Sequence, residues 1–180
     1  HLALFHLRVG QPDTALGIYD DHIRTHRSAT VAELIDASSL LWRLNLDGQD
    51  VRGRWVDLAD KWTHYIAEGF CAFNDLHAMM AFAGASRWRD AAALIQSQIL
   101  RAQESDTNAM MTRTVGLPAC QGVAAFGHGR YAEAVDLLSR LPAIAHRLGG
   151  SNAQHNIIAL THEVACLRAS ASSPTLRLAA

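Results

Sequence analysis

A turn that recurs four times constrains this chain more than any other feature. Gly10, Gly48, Ser86 and Gly129 each close an apolar helical stretch. At three of them a helix rich in small residues opens at once, in Gly10-Gln-Pro-Asp-Thr-Ala-Leu, Ser86-Arg-Trp-Arg-Asp-Ala-Ala and Gly129-Arg-Tyr-Ala-Glu-Ala-Val, and Gly48 ends its helix in the same way. Successive turns lie 38, 38 and 43 residues apart. A period of several tens of residues is the signature of stacked supersecondary units, none of which buries its apolar face alone. The unit here is a helix hairpin: a left-handed residue ends the first helix, a short turn follows, and Ala lets the second helix approach closely. A fifth turn is expected near Ala169.

Apolar periodicity predicts the helices between the turns. The pairs are Leu2 to Val9 with Pro12 to His26, Val31 to Leu46 with Arg54 to Glu68, Asp75 to Ala85 with Arg89 to Gln103, and Met110 to Phe126 with Tyr131 to Leu148. A last helix spans Asn152 to Arg168. Leu34, Ile35, Leu41 and Leu44 share a face, as do Ala91, Leu94, Ile95 and Ile99, giving the wide stripes that stacked helices need. Pro12 suits a first helical turn, Asn74 and Asp75 suit a cap, and Gly149-Gly150-Ser151 ends one helix and caps the next. Pro118 lacks an N–H and crowds the carbonyl of Thr114, so a kink or break is expected near Gly116, with a lesser bend at Pro142. The predicted fold is all-α: an α-α superhelix of four to five tetratricopeptide-like antiparallel pairs, one domain over residues 1–180. Its period near 40 exceeds the roughly 34 residues of the standard unit.

Composition narrows the partners. Net charge is −1, which supplies no field to steer the chain onto nucleic acid or anionic lipid. No uninterrupted apolar run approaches the roughly 20 residues of a membrane helix, so a soluble, cytoplasmic protein is expected. Cys71, Cys120 and Cys166 are scattered and odd in number, against a disulfide framework or structural zinc site. Lys61 is the lone lysine, an Arg-over-Lys bias that suggests a GC-rich bacterial genome. The pattern is already helical at His1 and the final pair looks unfinished, so the chain reads as part of a longer protein whose exposed end invites self-association.

Specific strings add to the periodicity: His1-Leu-Ala-Leu-Phe, Ile18-Tyr-Asp-Asp-His-Ile23, Ser39-Leu-Leu-Trp-Arg-Leu44, Phe73-Asn-Asp-Leu-His-Ala-Met79, Val115-Gly-Leu-Pro118 and Leu148-Gly-Gly-Ser-Asn-Ala-Gln154. Together, and in this order, they resemble the tetratricopeptide repeat protein 38 family. The resemblance spans essentially the whole chain and implies the C-terminal portion of an α-α superhelix; it implies no cofactor or catalytic residue. Where the family pattern continues Arg-Asp after Ala-Gln, this chain has His155-Asn156.

Ten histidines invite a metal or pH reading, and their full protonation would move the charge from −1 to +9. His22 and His26, four apart beside Asp21, have metal-ligand spacing, but two ligands make no site and a solvated face near a helix C-terminus accounts for them. Asn74, Asp75 and His77 form a polar group amid apolar neighbours, readable as a ligand contact or as a cap with a bonded histidine. Arg113 with Asn152, Gln154 and His155 offers a guanidinium, amides and helix-start N–H groups to a carboxylate, or else an inter-repeat network. Trp55 and Trp62 read as core, while Trp42 beside Arg43 is the stronger candidate for a peptide anchor. Asp57 and Asp60 read as solvent-facing. No nucleophile elbow or phosphate loop is present in the sequence, and the adjacent Asp20 and Asp21 point apart on a helix, so they make no working carboxylate pair.

The leading expectation is therefore an interaction scaffold, not an enzyme. It would bind a peptide or protein on the concave face through Asp36, Arg43, Asp75, His77 and Arg113. The runner-up is a small-molecule or metal pocket using Asp75 and His77, with Arg113 and Asn152 holding an anion; it requires those side chains to converge.

Overall fold

The computed structural model describes residues 1–67 and 71–172. All regular structure among them is helical, and the helices pack against one another, both with sequence neighbours and across the chain, as α3 and α8 do with α5. The elements are α1 (Leu2–Arg8), α2 (Pro12–Ile18), α3 (Val31–Leu46), α4 (Trp55–Trp62), α5 (Ala72–Gly84), α6 (Trp88–Arg101), α7 (Thr107–Met111), α8 (Leu117–Gly127), α9 (Tyr131–Leu138) and α10 (Asn152–Ser172).

All four predicted turns form, and they form alike. Gly10, Gly48 and Gly129 have φ of 74°, 88° and 75°, and Ser86 takes the same left-handed conformation at 56°. In each, the N–H one residue beyond reaches back to a carbonyl five residues earlier: Gln11 to His6, Gln49 to Leu44, Arg87 to Phe82 and Arg130 to Ala125, at 2.8–2.9 Å. This is the Schellman closure, which satisfies carbonyls that a helix end otherwise leaves bare. Three turns lead into the next helix within two residues or so, but after Gly48 the chain runs through a 3₁₀ turn, Arg52–Arg54, before α4 begins.

Several boundaries differ from the sequence expectation for local reasons. α5 starts at Ala72, with Cys71 at the cap position, so Asn74 and Asp75 lie inside the first turn and cap nothing. Pro118 does not break its helix: α7 and α8 are joined by a π turn, Thr112–Gly116, whose wider loop removes the clash at Thr114. A second π turn, Tyr19–Ile23, extends α2. α9 stops at Leu138, before Pro142, and a 3₁₀ turn, Ala145–Leu148, fills the space to α10. α10 runs through Ala169, where a turn is expected, to Ser172. Glu68, the expected end of the second pair, and the unfinished hairpin arm beyond Ser172 fall outside the described residues.

α5 is the centre of the molecule. It packs against α3, α4, α6 and α8, and Met79, Met80, Ala81 and Phe82 are fully buried. A helix apolar on every side belongs in such a place. Gly84 lets it approach α4, because a Cβ there would overlap the Trp55 indole. α10 then crosses α8 and α9 and comes back to α3. The Trp42 Nε1–H donates to Thr161 Oγ1 at 2.9 Å, Trp42 packs edge-on against Trp55 and Phe126, and the Arg168 guanidinium lies 4.9 Å from the Phe126 ring. Trp42 is thus buried as deeply as Trp55 and Trp62, so it is a core residue and no anchor for a partner.

Candidate functional site

α10 packs back against α3, joined to it by the Trp42–Thr161 and Arg43–Ala153 hydrogen bonds. A groove of about 1320 Å³ lies between α1, the last turns of α3, and α10. Leu4, Phe5 and Leu7 line it from α1, Leu46 from α3, and Leu160 and Val164 from α10. Phe5 is 58% exposed, with Leu2 on the same short helix and Val9 just beyond its end exposed as well. Asn152 and Asn156 present carboxamides from α10, one helical turn apart, and they also line an adjoining hollow of about 240 Å³ with His155 and Pro142.

Arg43 sits at one end of this groove and is only 9% exposed. Its Nη1 donates to the Ser39 carbonyl at 3.0 Å and to Ser39 Oγ, and its Nη2 donates to the Ala153 carbonyl in the first turn of α10. Burial pushes the guanidinium down to about 10, still cationic at neutral pH. Among the described residues no carboxylate pairs with it; the arginine ion pairs there belong to Arg24, Arg52, Arg54, Arg87, Arg101 and Arg130.

Other residues singled out from sequence do not meet. Asp75 and His77, two apart on α5, point to different neighbours. Asp75 accepts from Gln98 Nε2 of α6 at 3.1 Å and is enclosed, and burial raises its carboxyl to about 6 against the weaker pull of the Gln98 bond. Beside it, burial and then the Asp75 charge push the fully buried Cys120 thiol up. His77 Nδ1–H donates to the Phe73 carbonyl at 2.8 Å, and its buried Nε2 has no hydrogen-bond partner among the described residues. Burial carries His77 down to about 4, opposed by the Phe73 bond and furthered by the charge of Arg43. Two groups held apart in this way form no acid–base or metal pair, and among the described residues no three His, Cys, Asp or Glu side chains are placed to hold a metal.

Arg113 is spent elsewhere: its Nη1 donates to the Ala102 carbonyl at 2.6 Å. Gln154 and His155 hold the turn before α10. Gln154 Oε1 accepts from the Ser151 N–H at 2.7 Å, half of a capping box, and His155 Nε2 bonds the Gly149 carbonyl at 2.6 Å. Asp36 is exposed on α3, two turns before Arg43 and outside the groove lining. Asp57 is half-buried against Arg24 and not free in solvent, whereas Asp60 is exposed even as it pairs with Arg87.

Of the eight expected contact residues, then, Arg43 and Asn152 come together on the large groove, and His155 joins Asn152 on the small one. The α1 wall, Asn156 and Leu160 were not among them. The four-residue spacing of Asn152 and Asn156 is the available signal; the sequence reading takes up Asn156 only together with His155, as a departure from a family pattern. Among the described residues no helix is long and apolar enough to cross a membrane. No protein-family model matches the chain, and no solved structure matches it.

Proposed function

We propose that this chain is a helical-repeat interaction module, tetratricopeptide-like and of the tetratricopeptide repeat protein 38 type, that holds an extended apolar segment of a partner protein in the α1–α3–α10 groove. The observation that carries this reading is the groove itself: apolar on both walls, open to solvent, and provided with two carboxamides one turn apart on α10. Carboxamides both donate and accept, which suits them to the alternating N–H and C=O groups of an extended backbone. From Asn152 to Val164 the groove follows about 18 Å of helix at 1.5 Å per residue. That length matches five or so residues of extended chain.

The recurring turn and the sequence strings support the repeat assignment, and three free cysteines fit the reducing cytoplasm as its setting. Binding is read by fluorescence anisotropy of labelled apolar hexapeptides against the wild-type chain and against Asn156→Trp, which fills the groove from an exposed position. Micromolar binding that Asn156→Trp abolishes is the expected result. Equal binding by both proteins would place the peptide elsewhere. A dimer in light scattering that Asn156→Trp dissolves would instead put a second copy of the chain in the groove.

A further inference from the structure

We propose that His162 and Cys166 on α10 are half of a zinc site, which the same two side chains of a second copy of the chain complete. Four-residue spacing sets the pair on one face of the helix, the arrangement by which helices present two ligands to one metal. Cys166 Sγ lies 3.7 Å from His162 Nε2, and both side chains are half-buried, each with part of its surface open. For metal bonds of about 2.3 Å to sulfur and about 2.0 Å to nitrogen, that separation corresponds to an angle at the metal of about 117°, close to tetrahedral. The helix need not rearrange. The metal takes the place of the proton shared between thiol and imidazole.

One chain supplies only these two ligands. Among the described residues no third His, Cys, Asp or Glu side chain joins them. Cys120 is fully buried, and His155, two turns earlier on the same face, has its Nε2 on the Gly149 carbonyl. A closed zinc site takes four sulfur and nitrogen ligands, so the other two come from outside the chain. A two-fold axis through the metal brings an identical pair from a second copy, the isologous arrangement that closes most homodimers. Two thiolates then balance the divalent ion, and two imidazoles complete a Cys2His2 set. The next residue favours such a contact. Leu167 is 71% exposed, the most exposed large hydrophobic side chain among the described residues, and a second α10 would cover it.

The pair is separate from the groove. Neither His162 nor Cys166 lines it, and Leu160 and Val164, which do, lie about 160° round the helix from them. A dimer joined at the metal therefore leaves both grooves open. Zinc uptake also carries protons with it. Each thiol ionises as its sulfur binds the metal, so one ion releases two protons per dimer.

The test uses the full 180-residue chain, stripped with a chelator, kept reduced, and titrated with Zn²⁺ alone or with Co²⁺ as its spectroscopic stand-in. Light scattering is expected to show monomer passing to dimer at one Zn²⁺ per two chains, reversed by chelator. Co²⁺ should give the intense visible bands of a tetrahedral site together with thiolate charge-transfer absorption. Cys166→Ser and His162→Gln should each weaken zinc-dependent dimerisation by about a hundredfold or more, since losing even an outer-shell partner costs roughly ten- to a hundredfold. Cys71→Ser, at the start of α5, should change nothing. Asn156→Trp, which fills the groove, should dimerise with zinc as the wild type does; loss of the dimer there would move the contact to the groove and overturn the site. One zinc bound per chain without a dimer would overturn the sharing between copies. A zinc-dependent dimer that persists in Cys166→Ser would overturn the ligand assignment. A chain that stays monomeric in excess zinc, without the cobalt bands, would overturn the proposal as a whole.

Discussion

The interior around Asp75 and the groove end at Arg43 face the same physical difficulty, an ionisable group taken out of water, and resolve it in opposite ways. Asp75 is enclosed by α5, α6 and α8, and its carboxyl rises to about 6, so that near neutrality it comes within reach of a proton. Among the described residues the buried Gln98 Oε1 beside it has no hydrogen-bond partner, and a protonated Asp75 carries the donor that acceptor needs. Arg43 has no such recourse, because even at about 10 it stays charged in neutral water. It also lies on the wall of a space large enough to admit a ligand. Depth of burial is similar in the two places; access and the ability to shed charge separate them. A buried charge points to a ligand only where both conditions hold.

The largest perturbation that separates the two regions is Phe82→Ala. Phe82 is fully buried on α5 and away from the groove, so its truncation is expected to cost about 4 kcal/mol in urea unfolding. Peptide affinity of the folded fraction should not change. A parallel loss of affinity would mean that the groove is not separable from the core.

Asp75→Asn tests the interior by pH. With a folded value near 6 against an ordinary 3.8, Asp75 lends stability that is fully present below pH 4 and is lost as pH rises through 6. Its replacement should therefore stabilise the chain by about 3 kcal/mol at pH 7.5 and by almost nothing at pH 4. His77 has the opposite sign: depressed from 6.5 to about 4, it withdraws stability as pH falls through that interval. The two slopes oppose one another between pH 4 and 6 in the wild type. Asp75→Asn should leave the acid loss from His77 exposed, a steep fall in melting temperature below pH 6 that calorimetry would register.

Thr161→Val links the regions. It leaves the buried Trp42 Nε1–H without an acceptor, at a cost of about 2 kcal/mol, and loosens α10 against α3. Stability and peptide affinity should fall together, unlike in Phe82→Ala. The smallest effect is Ser86→Gly, which relieves a left-handed serine and should raise stability by about 0.5–1 kcal/mol. Neither the pH profile nor peptide binding should respond. Any response would show that stability alone moves the readouts on which the comparison depends.

What was legible in the sequence is what is encoded locally. The four left-handed turns needed only a Gly or Ser after an apolar run, and the bounds of α3 coincide with the periodic stretch from Val31 to Leu46. Pro118 announced a distortion, although its form, a π turn and no break, depends on how α7 and α8 are held. Distant partners were not legible. Asn and Asp at the start of a helix look like caps, yet Asp75 is turned toward Gln98, 23 residues on, and Trp42 looked available because Thr161 is 119 residues away. The groove shares that difficulty: Arg43 and Asn152 stood out by chemistry, but their meeting depends on α10 crossing the molecule, and its buried face of Ile157, Thr161 and Ala165 gives no address.

That crossing also bears on how the chain acquires its structure. A simple stack of repeats gains order one neighbour at a time and unravels from its ends in the same piecemeal way. Here residues 42 and 161 must find each other before the inner helices are complete, which raises the contact order and slows the final step. During synthesis the helices before α10 emerge with the Trp42 Nε1–H still lacking its acceptor on Thr161, and they stay in that state until α10 has cleared the ribosome. The same contact that delays completion makes the finished molecule unfold as a unit, so a shortened chain lacking α10 should melt gradually, where the full chain gives one sharp transition.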